Sequence, residues 1–251
     1  MKLKYLISGA AFTLLTTTAM ASHRWADYHW ATTTGNVNLP VIDSVTSDWQ
    51  GSFEESINRW NQSNSINQSV ESSDDNRRTR RQCRAVEGKM RVCNHTYGNN
   101  GWAGLASINI DSNNHITQGV AKMNDTYMAG DTDANRNHVM CQEIGHVFGL
   151  GHTSEDGSSQ NTCMDYSNST NSQWPNAHDY QMLSEIYNHQ DSYDTAIPGS
   201  TCNKKKCRGT ANLGVKVFQR GRSQIWVSRG EDDSMWVHHV TLAVGHDDVI
   251  Q

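Results

Sequence analysis

The sequence predicts an α+β fold in which a twisted mixed β-sheet packs against helices and a small antiparallel β meander follows. The stretch 134–148 predicts a helix that ends at a glycine turn. The region 84–128 contains short runs of β-forming residues between glycines and asparagines. Past Pro198, three more β-rich runs are separated by turn residues, which predicts the meander.

The first third of the mature chain supplies the remaining elements. Residues 37–42 predict a strand, and Pro40 favours an edge position for it. Ser47 begins a pattern typical of a capping box, and an amphipathic helix of about 14 residues is predicted from there. The apolar stripe of this helix is formed by Trp49, Phe53, Ile57 and Trp60. The polar stretch 61–76 predicts a surface loop, and a further helix begins near Asn176.

Composition limits the classes of function. The chain has 251 residues, a hydrophobic share of 35% and a formal net charge of -5. Its length fits one domain of good size, with or without a small appendage. The negative charge gives no electrostatic reason to expect nucleic acid or an anionic membrane as a partner. We expect a monomer, and the motifs described below imply a protein or peptide partner.

The N-terminus predicts export. Lys2 and Lys4 precede the apolar run 5–15, and a small-x-small cleavage pattern follows at 19–21. The apolar run is too short to span a bilayer, so we interpret 1–21 as a cleaved signal peptide. The expected location is secreted, either extracellular or periplasmic.

The six cysteines of an exported chain are expected to form three disulfides. The sequence does not choose among the pairings that six cysteines allow. A cysteine ligand to a metal is less favoured in an oxidising compartment. Local spacing suggests Cys83 with Cys93 and Cys202 with Cys207, which leaves Cys141 with Cys163.

The predicted helix 134–148 carries the most informative motif. Gln142, Glu143 and His146 are three or four residues apart, which places their side chains on one helix face. Gly149 allows a left-handed turn that would return His152 towards His146. Two imidazoles beside a carboxylate are a plausible metal centre built from one short segment.

These residues resemble the signature of the metzincin zinc endopeptidases. Glu143, His146, Gly149 and His152 match its Glu-x-x-His-x-x-Gly-x-x-His part, and Met164 matches the Met-turn that follows. The pattern is also similar to secreted bacterial metzincin-like proteins that carry Cys-Gln-Glu-x-Gly-His-x-x-Gly-Leu-x-His and Cys-Met-Asp-Tyr. The resemblance implies a metzincin-like fold with an active-site helix.

The resemblance also implies roles for single residues. His146 and His152 become ligands of one catalytic Zn²⁺, and Glu143 becomes the general base that activates a metal-bound water. Met164 packs beneath the metal. Tyr166 resembles the tyrosine of the astacin and serralysin branches that helps stabilise the oxyanion, although a packed aromatic side chain explains it equally well.

Gln142 departs from the family pattern, which has histidine at this position. A glutamine carbonyl oxygen can bind zinc, but it is a weaker donor than imidazole. His138 is an unsuitable substitute because eight residues separate it from His146, about 12 Å along a helix. We therefore predict Gln142 as the third ligand.

Other candidate ligands have simpler explanations. Asp131 and Asp133 leave two interpretations open, a structural Ca²⁺ or capping of the next helix. The remaining histidines have no ligand spacing and are interpreted as surface or structural: His23, His29, His95, His115, His178, His189, His238, His239 and His246.

The resulting hypothesis is a secreted zinc metalloendopeptidase with a catalytic domain at 22–195 and a β-rich extension at 196–251. The alternative is a metzincin-like protein with weak or absent catalysis, impaired by Gln142, that binds peptides or matrix proteins. The retained Glu143 and Tyr166 favour the active enzyme, because neither is needed merely to hold the fold.

Overall fold

The structure is a computed structural model that describes residues 22–199, 207–208, 212–231 and 233–246, with only the backbone at 207–208. The predicted signal peptide lies outside the described residues. So does Cys202, and with it the predicted Cys202–Cys207 disulfide.

Five helices and eleven strands are assigned in the described part of the chain. The helices are α1 Ser47–Trp60, α2 Arg77–Gln82, α3 Asp125–Met128, α4 Asp133–Val147 and α5 Ala177–Ile186. The strands are β1 His29–Trp30, β2 Val37–Ser44, β3 Ile66–Ser73, β4 Ala85–Val86, β5 Met90–His95, β6 Trp102–Ile110, β7 His115–Asn124, β8 Cys207–Arg208, β9 Val215–Arg220, β10 Ser223–Arg229 and β11 Met235–Leu242.

Nine of these strands form one mixed sheet. Its order is β3-β2-β5-β7-β6-β11-β10-β9, and β1 pairs with β7 outside this path. The pairs from β3 to β7 are parallel, whereas β6 runs antiparallel to β7 and every later neighbour is antiparallel. The predicted α+β class with a mixed sheet and a C-terminal antiparallel meander is confirmed.

Three local predictions were wrong. Strand β2 lies between β3 and β5, so Pro40 does not mark an edge strand. The polar stretch 61–76 contains the edge strand β3, whose residues beyond Gln68 are all exposed, so its polar sequence concealed a strand. The capping box predicted at Ser47 is absent: Thr46 is the N-cap of α1, and its side chain makes no capping hydrogen bond. The length of α1 is nevertheless 14 residues, and its apolar stripe is buried as expected.

Helix α4 lies at the centre of the molecule between α1 and the sheet. The indole N–H of Trp60 in α1 donates to the carbonyl of Cys141 at 3.1 Å. On the sheet side, a Cβ on Gly119 would collide with Val147, so the glycine lets α4 approach β7 closely. These contacts bury every α4 residue from 138 to 147.

The C-terminal meander extends the main sheet. Strand β11 pairs along the whole of β6, with Ala106 opposite His239 and Gly104 opposite Thr241. The meander therefore belongs to the same β-sheet as the strands of the preceding segment. The boundary at residue 195 stays a prediction.

Two disulfides join segments of the fold, Cys83–Cys93 and Cys141–Cys163, the pairs that spacing suggests. The second ties α4 to the segment that contains Met164. Among the described residues, no helix has the length and apolar character needed to cross a bilayer.

Replacing both cysteines of either pair by alanine should lower the free energy of unfolding by about 3 kcal/mol, because a cross-link restricts the unfolded chain. The loss should be somewhat larger for Cys141–Cys163, which closes 22 residues of separation, than for Cys83–Cys93, which closes 10. Urea unfolding of the two variants beside the wild type measures both values. Equal stability of all three proteins would contradict this account.

Candidate metal centre

Helix α4 is held at its N-terminus by a side-chain cap. The Thr132 hydroxyl accepts the Asn135 N–H at 3.3 Å. The Asp131 carboxylate accepts the Thr132 N–H at 2.8 Å and also the Asn135 side-chain amide. These contacts are those of a helix cap. The structure gives no support to the alternative calcium interpretation of this loop.

The C-terminal turn of α4 returns the chain as the spacing predicts. Gly149 has φ of 88°, and a Cβ there would collide with the carbonyl of Tyr28. The turn brings Nε2 of His152 to 3.0 Å from Nε2 of His146. Nδ1–H of His146 donates to the Leu150 carbonyl at 2.8 Å, which leaves its Nε2 with a lone pair for a metal.

A third imidazole completes the cluster. One ring nitrogen each of His146, His152 and His239 lie within 4.8 Å of one another. The His239 ring centroid is 3.8 Å from that of His146 and 4.5 Å from that of His152. Sequence reasoning missed His239, because it lies on β11 and no local spacing connects it with the α4 motif. The signal that was present is the His238-His239 pair on a strand, where alternation must send one ring to each face.

Burial keeps these imidazoles neutral, which is the metal-binding form. It lowers the pKa of His146 to about 4. The pKa values of His152 and His239 are likewise well below the ordinary value, first through burial and then through the neighbouring imidazoles. Three neutral imidazole rings can lie next to one another without charge repulsion and offer nitrogen lone pairs to a metal ion.

Gln142 is fully buried and hydrogen-bonded to residues 163–165, called the Met-turn segment after Met164. Its Nε2 donates to the carbonyls of Cys163 at 2.9 Å and Asp165 at 2.8 Å. Its Oε1 lies 3.1 Å from the Thr241 hydroxyl oxygen. The side chain thus links α4, the Met-turn segment and β11. His138 is not part of the imidazole cluster: its Nδ1–H donates to the Ser172 carbonyl at 2.5 Å, and its Nε2 lies 3.5 Å from Nε2 of Gln142.

Glu143 lies beside the three imidazoles and is fully buried. Its Oε1 accepts from the Thr241 hydroxyl at 2.6 Å, and its Oε2 lies 4.0 Å from Nδ1 of His239. Burial raises the pKa of Glu143 to about 8, against hydrogen bonds from Thr241 and the Ala106 backbone that favour the ionised form. Gly104 makes room for this carboxylate, since a Cβ there would collide with it.

Tyr166 lies at the cluster, and Met164 packs against α4. Met164 is fully buried, and its sulfur lies 2.5 Å from the position that a Cβ on Gly145 would take. The Tyr166 ring centroid is 4.1 Å from that of His152. Burial raises the pKa of the Tyr166 hydroxyl well above its usual value, and the charge of Glu143 raises it further.

Comparison with known proteins gives one family. The family model described as Matrixin, of peptidase family M10, matches residues 43–188, more than half of the chain and the whole motif region. A search of curated proteins finds no match.

The Gly104→Ala substitution should destabilise the protein by about 1–3 kcal/mol, because its Cβ overlaps the Glu143 carboxylate and Val139. Gly51→Ala is the matched control: nothing lies within 4 Å of its Cβ, and alanine in a helix should stabilise α1 by up to about 1 kcal/mol. Thermal and urea unfolding measure both changes. A neutral Gly104→Ala would mean that Glu143 does not occupy this position.

Proposed function

Because the chain belongs to the matrixin family of metallopeptidases, we propose that it is a secreted zinc-dependent endopeptidase that cleaves peptide bonds in proteins. One observation carries the proposal: the carboxylate of Glu143 and the imidazoles of His146, His152 and His239 converge in one buried cluster. A base beside a histidine metal site is the minimum apparatus for metal-assisted hydrolysis.

The donor set fits zinc. Two ligands of a tetrahedral zinc with bonds of 2.0–2.1 Å lie about 3.3 Å apart, and the Nε2 atoms of His146 and His152 are 3.0 Å apart. The Glu155 carboxylate lies 3.5 Å from Nδ1 of His152, where it can orient the ring. A bound zinc supplies a Lewis acid that polarises the scissile carbonyl and acidifies water.

We propose His239 as the third ligand in preference to Gln142. Imidazole is the better zinc donor, and the ring of His239 lies directly against the other two imidazoles. The amide of Gln142 already contacts three protein groups, and these contacts favour a structural role. In this proposal, β11 supplies the donor that the Gln142 position lacks.

The chain's own residues perform the proton transfers. Glu143 accepts a proton from the attacking water and passes it to the leaving amine nitrogen. A bound zinc would favour the ionised carboxylate, the form that accepts this proton, against the effect of burial. The Thr241 hydroxyl, 2.6 Å from Oε1, orients the carboxylate. The Tyr166 hydroxyl stays protonated and can donate a hydrogen bond to the developing oxyanion.

Burial favours a second candidate function. Glu143 and His146 are both 0% exposed, and β11 covers the edge of β6 next to them. A peptide reaches Glu143 only if the groups that cover this carboxylate move. A protein that stays in this closed state binds zinc without cleaving peptides, so the second candidate is a metzincin-like protein without turnover.

Zinc content and casein cleavage separate the two candidates. The active enzyme should hold zinc, lose cleavage with a chelator and recover it with added zinc. Glu143→Gln should keep the zinc and lose about 100- to 10,000-fold in kcat, the usual contribution of a general base. Glu54→Gln, on the exposed face of α1, is the control and should match the wild type. Bound zinc with no cleavage by the wild type would support the second candidate instead.

The third ligand is tested by zinc affinity. His239→Ala should weaken zinc binding by more than about 100-fold, beyond the 10- to 100-fold typical of groups that only orient ligands. His238→Ala is the matched control, because its ring bonds to Ser107 and Ser228 on the other face of β11. Competition with a fluorescent chelator measures the affinities. Unchanged affinity in His239→Ala, with a large loss in Gln142→Ala, would assign the third position to Gln142.

A further inference from the structure

A second cluster of metal-binding side chains lies away from Glu143. It joins three parts of the chain: His29 in β1, His115 at the start of β7, and the segment after α5 that contains His189 and Asp191. Donor atoms of His29, His189 and Asp191 lie within 4.8 Å of one another. No spacing in the sequence connects these residues.

The distances are those of ligands around one ion. Nε2 of His29 lies 3.0 Å from Nε2 of His189 and 3.7 Å from Oδ2 of Asp191. Nε2 of His189 lies 3.5 Å from Oδ1 of Asp191. The nitrogen-to-carboxylate distances are too long for good direct hydrogen bonds. They fit donors that share a tetrahedral zinc, for which the separation is about 3.3 Å.

Outer contacts hold these ligands in the metal-binding orientation. Nδ1–H of His29 donates to the Asp27 carbonyl at 2.8 Å, so its Nε2 carries the lone pair. The Asp191 carboxylate accepts the Thr32 N–H at 2.8 Å, and the Asp191 N–H donates to the Thr32 carbonyl at 2.8 Å. Such fixed tautomers and anchored carboxylates are typical of metal sites.

His115 supports the same carboxylate. Its Nε2 lies 3.4 Å from Oδ1 of Asp191, and its Nδ1 lies 2.7 Å from the Tyr193 hydroxyl. That hydroxyl in turn donates to Asp111 at 2.7 Å. His115 therefore lies at one oxygen of the Asp191 carboxylate and the Thr32 N–H at the other.

We propose that His29, His189 and Asp191 bind a structural Zn²⁺ distinct from the ion at His146. Two imidazoles and one carboxylate suit a borderline cation such as zinc. The ion neutralises the carboxylate and cross-links the N-terminal segment to the segment after α5. This proposal does not depend on peptidase activity.

Metal content of purified protein tests the site. His189→Gln should lose one zinc per chain relative to the wild type, and His146→Ala/His152→Ala should lose a different one, so the combined variant loses both. His95→Gln is the control histidine, outside every metal-binding group among the described residues. His189 is the most exposed ligand, with 39% side-chain exposure, so its replacement leaves the core intact. Equal zinc content in His189→Gln and the wild type would overturn the proposal.

Stability provides a second measurement that is independent of catalysis. Zinc at 100 times its Kd should raise Tm by about 5–10 °C in His146→Ala/His152→Ala, where the second site remains intact. Hydrogen exchange of residues 22–36 should slow in the same titration. A direct His29–His189 hydrogen bond without metal predicts no zinc response of either quantity, and that result would overturn the proposal.

Discussion

The structure depends on hydrogen-bonding the buried polar face of α4. Gln142, Glu143 and His146 are each 0% exposed, and a buried polar group is costly unless it has a partner. Their partners come from three segments: the Met-turn carbonyls, the β11 hydroxyl of Thr241 and the Leu150 carbonyl. The fold must bring all three segments to α4, and the imidazole cluster lies where they meet.

This constraint explains why the C-terminal meander belongs to the site. The register of β6 and β11 places Gly104 opposite Thr241 and Ala106 opposite His239. Gly104 leaves the space that the Glu143 carboxylate fills, and Thr241 bonds to that carboxylate. A slip of one residue would turn His239 to the other face of the sheet. Strand register therefore determines the surroundings of the Glu143 carboxylate and the position of His239, the proposed third ligand.

The sequence predicted what is local to it. Spacing on one helix located Glu143 and His146, and the glycine turn that returns His152, because 3.6-residue periodicity fixes those relations without tertiary contacts. Sequence spacing could not predict His239 or the His29 cluster as metal-binding groups, because their positions follow from strand pairing and from the path of the chain after α5. The sequence position of Gln142 predicts a metal ligand. The hydrogen bonds of its amide to the carbonyls of Cys163 and Asp165 depend on the folded chain and cannot be predicted from spacing.

The N-terminal segment connects the two clusters. The Trp25 N–H donates to the Gly149 carbonyl at 2.7 Å, and the Trp30 indole donates to the Val147 carbonyl at 3.0 Å. Both bonds fix the turn that carries the chain from α4 towards the second imidazole. The proposed cation at His29 would hold this same segment at the residue before Trp30. If the ion binds as proposed, the ordering of residues 22–36 reaches the turn after α4 through these two hydrogen bonds.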